Sequence, residues 1–268
     1  MELQRCRATV MGLGHFGGGL AVARWLAANG AEVTVTDLAD AATLAEPLAQ
    51  LATTSIARYA LGGHCEADFR DIDLLVVNPA VRPGNRFVQI AQEAGVRIVT
   101  EIELLLEHNP APVIGVTGSN GKSTTTAMIH AILLADGRTA WLGGNLGGSL
   151  LNQLRAVQAD DWVVLELSSF QLWRLSQAVP APHVAVVTSF APNHLDWHAD
   201  YADYKASKQK LLLGQKPDDW AVLNARDTEV ASWSPLVRGR LVALPPLDEI
   251  PPLHVPGNHN RINAACAA

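Results

Sequence analysis

The stretch Val113-Ile114-Gly115-Val116-Thr117-Gly118-Ser119-Asn120-Gly121-Lys122-Ser123-Thr124 decides the fold of the chain around it. Its apolar start predicts a buried strand, its glycines predict a loop, and the residues from Ser123 to Ala135 predict a helix. A strand, a glycine-rich loop and a helix in this order are typical of phosphate-binding α/β domains. The strict P-loop pattern has glycine where this chain has Val116, so the match is to a variant loop.

The loop carries the residue types that a polyphosphate requires. Gly118 and Gly121 can bring main-chain N–H groups close to phosphate oxygens, Lys122 can neutralise β- and γ-phosphate charge, and the Ser123 hydroxyl can bind Mg²⁺. A glycine-rich turn without a ligand is the alternative, but it does not account for the lysine and the hydroxyl that follow. We therefore predict that the loop binds phosphate through Gly118, Ser119, Asn120, Gly121, Lys122, Ser123 and Thr124.

Downstream of the loop, strands and helices continue to alternate. Strands are predicted over 162–165, 184–188 and 221–223, and a helix near 204–213. Glu166 follows the first of these strands, and open α/β sheets bind ligands at the carboxyl ends of their strands. Its carboxylate is a candidate Mg²⁺ ligand, with a helix cap or a surface carboxylate as the alternative.

Upstream, a second glycine-rich turn follows another predicted strand. Gly12, Gly14 and Gly17 satisfy G-x-G-x-x-G before a helical pattern, and Asp37 ends the next predicted strand. The turn can bind the pyrophosphate of a dinucleotide or of a UDP-sugar, and Asp37 can accept hydrogen bonds from a ribose or a base. The pattern does not choose between these ligands, and a tight turn without a ligand is a further alternative.

The two motifs lie in separate predicted domains. Strands at 74–77 and 96–100 and a helix at 86–94 continue the first α/β pattern, and Pro110 and Pro112 then interrupt it. We predict an α/β fold in which a Rossmann-like domain over 1–110 precedes a P-loop ATPase-type domain over 111–268. Both are expected to contain mainly parallel sheets.

Composition limits the classes of binding partner and the cellular compartment that we expect for this protein. With 49% hydrophobic and 17% charged residues the chain can bury ordinary cores, and a net charge of -6 disfavours nucleic acid or an anionic membrane as partner. Cys6, Cys65 and Cys266 are far apart, which predicts buried thiols rather than disulfides or a zinc site. Without a signal peptide or a long apolar run, the sequence predicts a cytoplasmic protein, which we expect to be a monomer.

A histidine-rich segment and a lysine-rich helix follow the strand that ends near residue 188. His194 and His198 have a spacing that fits zinc, but no third soft ligand is evident and a phosphate site calls for a hard cation. Lys205, Lys208 and Lys210 lie on the next predicted helix, and the ordinary meaning of such a cluster is a solvated face.

Taken together, five segments resemble the Mur ligases. They are the loop at 115–124, Gly143-Gly144-Asn145-Leu146-Gly147, Leu165-Glu166-Leu167-Ser168-Ser169-Phe170-Gln171-Leu172, Asn193-His194-Leu195-Asp196 and Gly257-Asn258-His259-Asn260. They span nearly the whole chain. Within that family, two segments are similar to the D-glutamate-adding branch rather than to the L-alanine-, diamino acid- or folate-directed branches. These segments are the loop sequence and the Ser168-Ser169-Phe170-Gln171 run.

The resemblance implies an ATP-dependent ligase that adds D-glutamate to UDP-N-acetylmuramoyl-L-alanine through an acyl phosphate during peptidoglycan precursor synthesis. It also implies a C-terminal amino-acid-binding domain, and the apolar helical pattern at 263–268 leads us to expect that the chain is a fragment lacking it. Such a fragment would bind nucleotides without ligating. Another Mur-type amino acid ligase is the nearest alternative, and the first glycine turn alone suggests an NAD-dependent oxidoreductase.

The resemblance also implies roles for individual residues. Lys122 would hold the ATP phosphates, Ser123 and Glu166 the first of two Mg²⁺ ions, and His194 the second, assisted by a carbamylated Lys208. A carbamate supplies negative oxygens to the cation, whereas an ammonium group repels it.

Further positions match the family's adenine and substrate contacts. The adenine matches are Asn260 and Asn263, and the expected substrate contacts are Gly14, His15, Phe16, Asp37 and Asn145. The chain departs from the family pattern at Trp197, where relatives often carry arginine, at Ala80, and at Leu38 and Ala39, where polar uracil contacts are common.

Overall fold

A computed structural model describes residues 3–13 and 17–268. The chain divides into two compact units. The first extends to Leu106 and includes Leu151–Arg155, whereas the second comprises Glu107–Leu150 and Ala156–Ala268. Within the described ranges, no helix is both long and apolar enough to cross a membrane.

The first unit is built on a five-stranded, all-parallel sheet with the strand order β3-β2-β1-β4-β5. The order reverses between β1 and β4, and in open α/β sheets such a reversal opens a crevice at the carboxyl ends of the strands. The elements are β1 (Arg7–Met11), α1 (Gly18–Ala28), β2 (Glu32–Asp37), α2 (Ala45–Gln50), β3 (Arg58–Leu61), α3 (Ala67–Arg70), β4 (Leu74–Val77), α4 (Arg86–Glu93), β5 (Arg97–Val99) and α5 (Glu101–His108).

Glycine allows α1 to approach the end of β1 closely. A Cβ atom added at Gly19 would lie 2.3 Å from the carbonyl oxygen of Gly12. Any side chain at this position would therefore push the helix away from the strand. Below this contact, the hydrophobic core of the sheet includes Met11, Phe69 and Leu75, all buried.

The second unit contains a six-stranded, all-parallel sheet with the order β11-β10-β9-β6-β8-β7. The elements are β6 (Val113–Thr117), α6 (Lys122–Ala135), β7 (Ala140–Gly144), β8 (Trp162–Glu166), α7 (Ser169–Arg174), β9 (Val184–Val187), α8 (Tyr201–Leu213), β10 (Trp220–Leu223), α9 (Thr228–Ala231), β11 (Arg240–Val242) and α10 (Asn258–Ala267). Since β6 lies between β8 and β9, the phosphate loop that follows it emerges beside the ends of both strands.

The predicted α/β fold with parallel sheets is confirmed. The predicted strands and helices around both glycine turns are present, with ends that differ by at most three residues. The last helix begins at Asn258 rather than at 263. Strands β3, β7 and β11 were not predicted.

Two predictions about side-chain environment are wrong. The lysines of α8 do not form a solvated face, because Lys208 is 2% exposed and the Nζ of Lys210 donates to the carbonyl oxygens of Trp173 and Leu175. Lys205 forms an ion pair with Glu229. Of the three cysteines, Cys65 is exposed rather than buried, because it lies in the loop after β3.

Candidate functional site

The loop between β6 and α6 is fixed by the residues that follow β9. The N–H of Ser119 donates to the carbonyl oxygen of Ser189 at 2.8 Å, and the N–H of Asn120 donates to the Ser189 hydroxyl at 2.9 Å. The Thr188 hydroxyl donates to the carbonyl oxygen of Asn120 at 2.6 Å. These bonds occupy two of the N–H groups predicted to bind phosphate, so the free donors lie at the start of α6.

The start of α6 presents N–H groups that have no acceptor among the described residues. Its N-cap is Gly121, with a φ of 83°, and no side chain caps the helix. The first N–H groups of a helix have no acceptor within it, and the helix dipole adds partial positive charge at that end. Lys122, Ser123 and Thr124 supply these groups, and the Ser123 side chain is exposed. The loop can therefore receive an anion here.

A buried carboxylate lies beside this helix start. Glu166 ends β8 next to Val116 of β6 and is 1% exposed. Its Oε1 accepts a hydrogen bond from the Asn145 side chain at 3.0 Å, whereas its Oε2 is buried without a partner among the described residues. An unpaired buried carboxylate oxygen is costly unless a cation or a donor satisfies it. The site therefore has the chemistry of a cation site.

Lys122 lies within electrostatic reach of this carboxylate. Its Nζ donates to the carbonyl oxygen of Ser119 at 3.2 Å. Burial lowers the pKa of Lys122, and the charge of Glu166 opposes that shift. The predicted phosphate-binding lysine and the predicted metal-binding carboxylate therefore belong to one site.

Lys208 reaches the same site from α8. Its Nζ donates to the carbonyl oxygen of Gly118 at 2.8 Å and lies 5.0 Å from the centre of the Tyr204 ring. Burial lowers the pKa of Lys208 to about 7; Lys122 contributes to that shift and Glu166 opposes it. A substantial fraction of this buried amine is therefore uncharged near neutral pH.

His194 lies at the edge of the site in a left-handed backbone conformation, with a φ of 53°. Its ring packs against Phe170 at a centroid distance of 4.8 Å. Partial burial, together with the charges of Lys208 and Lys122, lowers the pKa of His194, while Asp196 opposes the shift. The imidazole is thereby kept neutral, which is the form that binds metals.

The second histidine of this segment has a different environment, which sequence reasoning missed. His198 is buried, with Nδ1 3.0 Å from Asp203 Oδ2 and Nε2 3.0 Å from Ser169 Oγ. Although the chemistry is that of a Ser-His-Asp triad, Ser169 is 2% exposed and cannot meet a substrate. The network therefore links α7 to α8. The spacing to His194 was the only sequence signal.

The two asparagines predicted to contact adenine lie on α10. Asn263 is buried against the loop, since its Oδ1 would lie 2.3 Å from a Cβ atom at Gly121. Its carbonyl oxygen also accepts a hydrogen bond from the Thr125 hydroxyl at 3.5 Å. Asn260 lies one turn earlier and donates to the carbonyl oxygen of Pro256 at 2.8 Å. The structure thus brings Asn263 directly to the loop.

The predicted substrate residues fall into three groups. Asn145 is exposed and bonded to Glu166, so it borders the loop in the second unit. Asp37 ends β2 in the first unit, where its carboxylate accepts hydrogen bonds from the N–H groups of Leu13 and Ala39, both at 2.9 Å. The remaining three, Gly14, His15 and Phe16, lie outside the described residues.

The predicted magnesium ligands do not form a conventional metal cluster. Within 3–13 and 17–268, no group of three or more His, Cys, Asp or Glu side chains is arranged to hold a metal ion. The predicted set instead combines Glu166 and His194 with a hydroxyl and an amine, from Ser123 and Lys208.

The second unit has a parallel sheet with a glycine-rich loop, a lysine and a buried carboxylate at its carboxyl edge. These features define the class of P-loop-type α/β proteins. The chain belongs to the Mur ligase family. The model of the Mur ligase middle domain matches residues 116–243, and the model of the Mur ligase MurD-like N-terminal domain matches residues 6–100. This membership argues against an NAD-dependent oxidoreductase.

Curated relatives agree with the family assignment. The chain is 43% identical over 242 residues to the UDP-N-acetylmuramoylalanine--D-glutamate ligase of Roseiflexus sp. (strain RS-1), an alignment that covers 90% of this chain and 50% of that protein. It is 41% identical over 243 residues to the protein of the same name from Geobacter metallireducens, covering 91% and 52%. The chain therefore spans about half the length of the curated relatives it matches.

Solved structures agree with the fold. The UDP-N-acetylmuramate:L-alanyl-gamma-D-glutamyl-meso-diaminopimelate ligase from Neisseria meningitides superposes with a TM-score of 0.66 at 19% identity, covering 98% of this chain and 91% of that one. The UDP-N-acetylmuramate-alanine ligase from Thermotoga maritima gives a TM-score of 0.57 at 23% identity, covering 98% and 64%. At these identities the likeness concerns the fold alone.

Proposed function

We propose that the chain serves an ATP-dependent ligase that joins D-glutamate to UDP-N-acetylmuramoyl-L-alanine. The observation that carries this proposal is the shared site of Lys122 and Glu166, in which an ammonium group and a buried carboxylate with an unpaired oxygen flank an uncapped helix start. The relatives at 43% and 41% identity that bear the name of this ligase support the choice of D-glutamate. Another Mur-type amino acid ligase is the alternative.

In this proposal the second unit binds ATP. The N–H groups at the start of α6 and the Lys122 ammonium receive the β- and γ-phosphates. Asn263, packed against Gly121, and Asn260 on the same helix provide amide groups for the adenine. The first unit, with its glycine turn and Asp37 at the carboxyl edge of its sheet, binds the UDP end of the second substrate.

The residues at the site fit Mg²⁺. The unpaired Oε2 of Glu166 and the exposed hydroxyl of Ser123 are oxygen donors of the kind this ion prefers, and neutral His194 would contribute to a second ion. Bound Mg²⁺ would stabilise the negative charge on the phosphates during transfer.

The environment of Lys208 favours a carbamate. Since its pKa is about 7, the amine is available to add to CO₂, forming a nitrogen–carbon bond and releasing one proton. The resulting negative oxygens would lie near Gly118 and oppose the positive charge of Lys122.

The proposed reaction has two steps. The substrate carboxylate attacks the γ-phosphorus of ATP, so that ADP leaves and an acyl phosphate forms. The amine of D-glutamate then attacks the acyl carbon, phosphate leaves, and an amide remains after loss of a proton. The protein's part is to hold the two groups in line and to stabilise charge, which is the main source of catalysis in phosphoryl transfer. We place this activity in the cytoplasm, where ATP is available, with the protein acting as a monomer.

The direct test uses the protein that contains this chain. It is incubated with ATP, Mg²⁺ and UDP-N-acetylmuramoyl-L-alanine, and phosphate release is followed with D-glutamate, L-alanine, L-lysine or diaminopimelate in turn. We expect release with D-glutamate alone, because the relatives named for this substrate are similar over nearly all of the chain. Release with a different amino acid would select another branch, and binding of NADH without ATP would overturn the proposal.

A further inference from the structure

A histidine that the proposed mechanism does not use lies at the carboxyl edge of the first sheet. His64 belongs to the loop after β3, which is tied to the loop after β2. The N–H of Gly62 donates to the carbonyl oxygen of Ala39 at 2.9 Å, and the N–H of Gly63 donates to that of Asp37 at 3.1 Å. His64 therefore lies where the ends of two neighbouring strands meet, at the edge where open α/β sheets bind ligands.

The imidazole ring is held in one orientation. Its Nδ1 lies 2.7 Å from the hydroxyl of Thr36, which is completely buried in β2. Phe69 and Phe87 approach the ring at steep angles, with centroid distances of 5.5 and 5.0 Å. A ring fixed on these sides presents its other nitrogen in a defined direction.

The other nitrogen has no partner in the part of the chain that the structure describes. Nε2 of His64 makes no hydrogen bond there and is not one of the buried unpartnered atoms. Burial lowers the pKa of His64, and the charge of Asp37 opposes the shift. The ring is therefore neutral near pH 7, and Nε2 can donate or accept one hydrogen bond depending on the tautomer that the Thr36 contact selects.

The side chains around Asp37 leave Nε2 of His64 as a hydrogen-bonding group for a ligand at this edge. Both carboxylate oxygens of Asp37 already accept main-chain hydrogen bonds. The next two side chains are Leu38, which is 71% exposed and apolar, and Ala39, so neither can hydrogen-bond to a ligand. A phenylalanine could keep the ring contacts with Phe69 and Phe87 but would remove the partner of the Thr36 hydroxyl, whereas a polar ring also adds a hydrogen-bonding group to this edge.

We propose that His64 is a positioning residue of the substrate site and that its Nε2 hydrogen-bonds to the nucleoside end of the UDP-linked substrate. This inference rests on the proposed function, because that function supplies the UDP group. The histidine takes the place of the polar side chains that positions 38 and 39 lack. It acts on substrate affinity and orientation rather than on phosphoryl transfer.

The test compares three substitutions by calorimetric titration of the chain with UDP. His64→Phe keeps the aromatic packing and removes both nitrogens, His64→Gln places an amide near Nε2, and His64→Asn places one near Nδ1. The loss of one hydrogen bond from Nε2 predicts about tenfold weaker UDP binding for His64→Phe and His64→Asn, with affinity largely restored in His64→Gln. His183→Phe, at an exposed histidine of the second unit, is the matched control and leaves the affinity unchanged.

Further measurements separate this inference from the function on which it rests. ATP binding and the unfolding temperature report whether each variant folds, and 2′-deoxyUDP shows whether the contact is to the ribose or to the base. Wild-type affinity in folded His64→Phe, or equal losses in the Gln and Asn variants, would overturn the role of His64 while leaving the proposed function intact. Failure of the wild-type chain to bind UDP would overturn both.

Discussion

At the scale of single residues, we expect Lys122 to contribute to ATP binding but little to the stability of the fold. Within the described residues, the Lys122 side chain makes one hydrogen bond, from Nζ to the carbonyl oxygen of Ser119, and burial already disfavours its charge. Lys122→Ala should therefore leave stability nearly unchanged and weaken ATP binding about 10- to 100-fold, as expected for the loss of a charged hydrogen bond. Titration of the chain with ATP measures this, with exposed Lys216→Ala as the control. Unchanged affinity in Lys122→Ala would remove the lysine from the site.

The buried amine of Lys208 predicts a pH dependence of stability. In the folded protein its pKa is about 7, whereas its ordinary value is 10.5. Between these values the unfolded chain binds more protons than the folded one, so this residue makes the free energy of unfolding rise with pH across that window. Lys208→Met keeps the length of the side chain and removes the titration.

We therefore expect the free energy of unfolding of the wild type to increase relative to Lys208→Met as the pH rises from about 7 to about 9.5. Urea unfolding of the unmodified amine, in CO₂-free buffer at both pH values, measures the difference. The same difference at both values would show that the amine is not held in its neutral form by burial.

At the scale of elements, α10 is held against the start of α6 by a glycine. Gly121 and Gly137 lie at the two ends of α6 with φ values of 83° and 77°, but a Cβ atom meets Asn263 only at Gly121. Alanine at either position should cost about 1 to 2 kcal/mol in backbone strain. Gly121→Ala should cost a further ~1 to 3 kcal/mol from overpacking and should also weaken ATP binding.

Urea unfolding of the two variants gives the comparison, because Gly137→Ala carries the same strain in open space. Equal losses of stability in both would mean that α10 moves away without cost and does not help to form the site.

The elements that sequence reasoning missed share physical features. Strands β3 and β11 are short and lie at the sheet edges, so they lack the apolar run that marks a buried strand. Strand β7 is also an edge strand and ends in two glycines, which are typical of turns. Central strands such as β6, buried at all five positions, were predictable because both of their faces are covered.

At the scale of the whole molecule, the predictable part of the site is the part that is contiguous in sequence. The loop from Gly118 to Thr124 follows from its own residues, because spacing and backbone geometry are local properties. The burial of Lys208 arises when α8 packs against the loop at Gly118, and the network of His198, Ser169 and Asp203 arises when α7 and α8 meet. No periodicity distinguishes such a lysine from a solvated one, which explains why the predicted solvated face is wrong.

The central claim is that Glu166 and the loop hold one nucleotide with its cation. The most direct test is to titrate the wild-type chain and Glu166→Gln with ATP, once with Mg²⁺ and once with EDTA. The account predicts that Mg²⁺ tightens ATP binding to the wild type by at least about tenfold and has little effect on Glu166→Gln, since the substitution removes the charge but keeps the shape of the side chain. An equal effect of Mg²⁺ on both proteins would contradict the account.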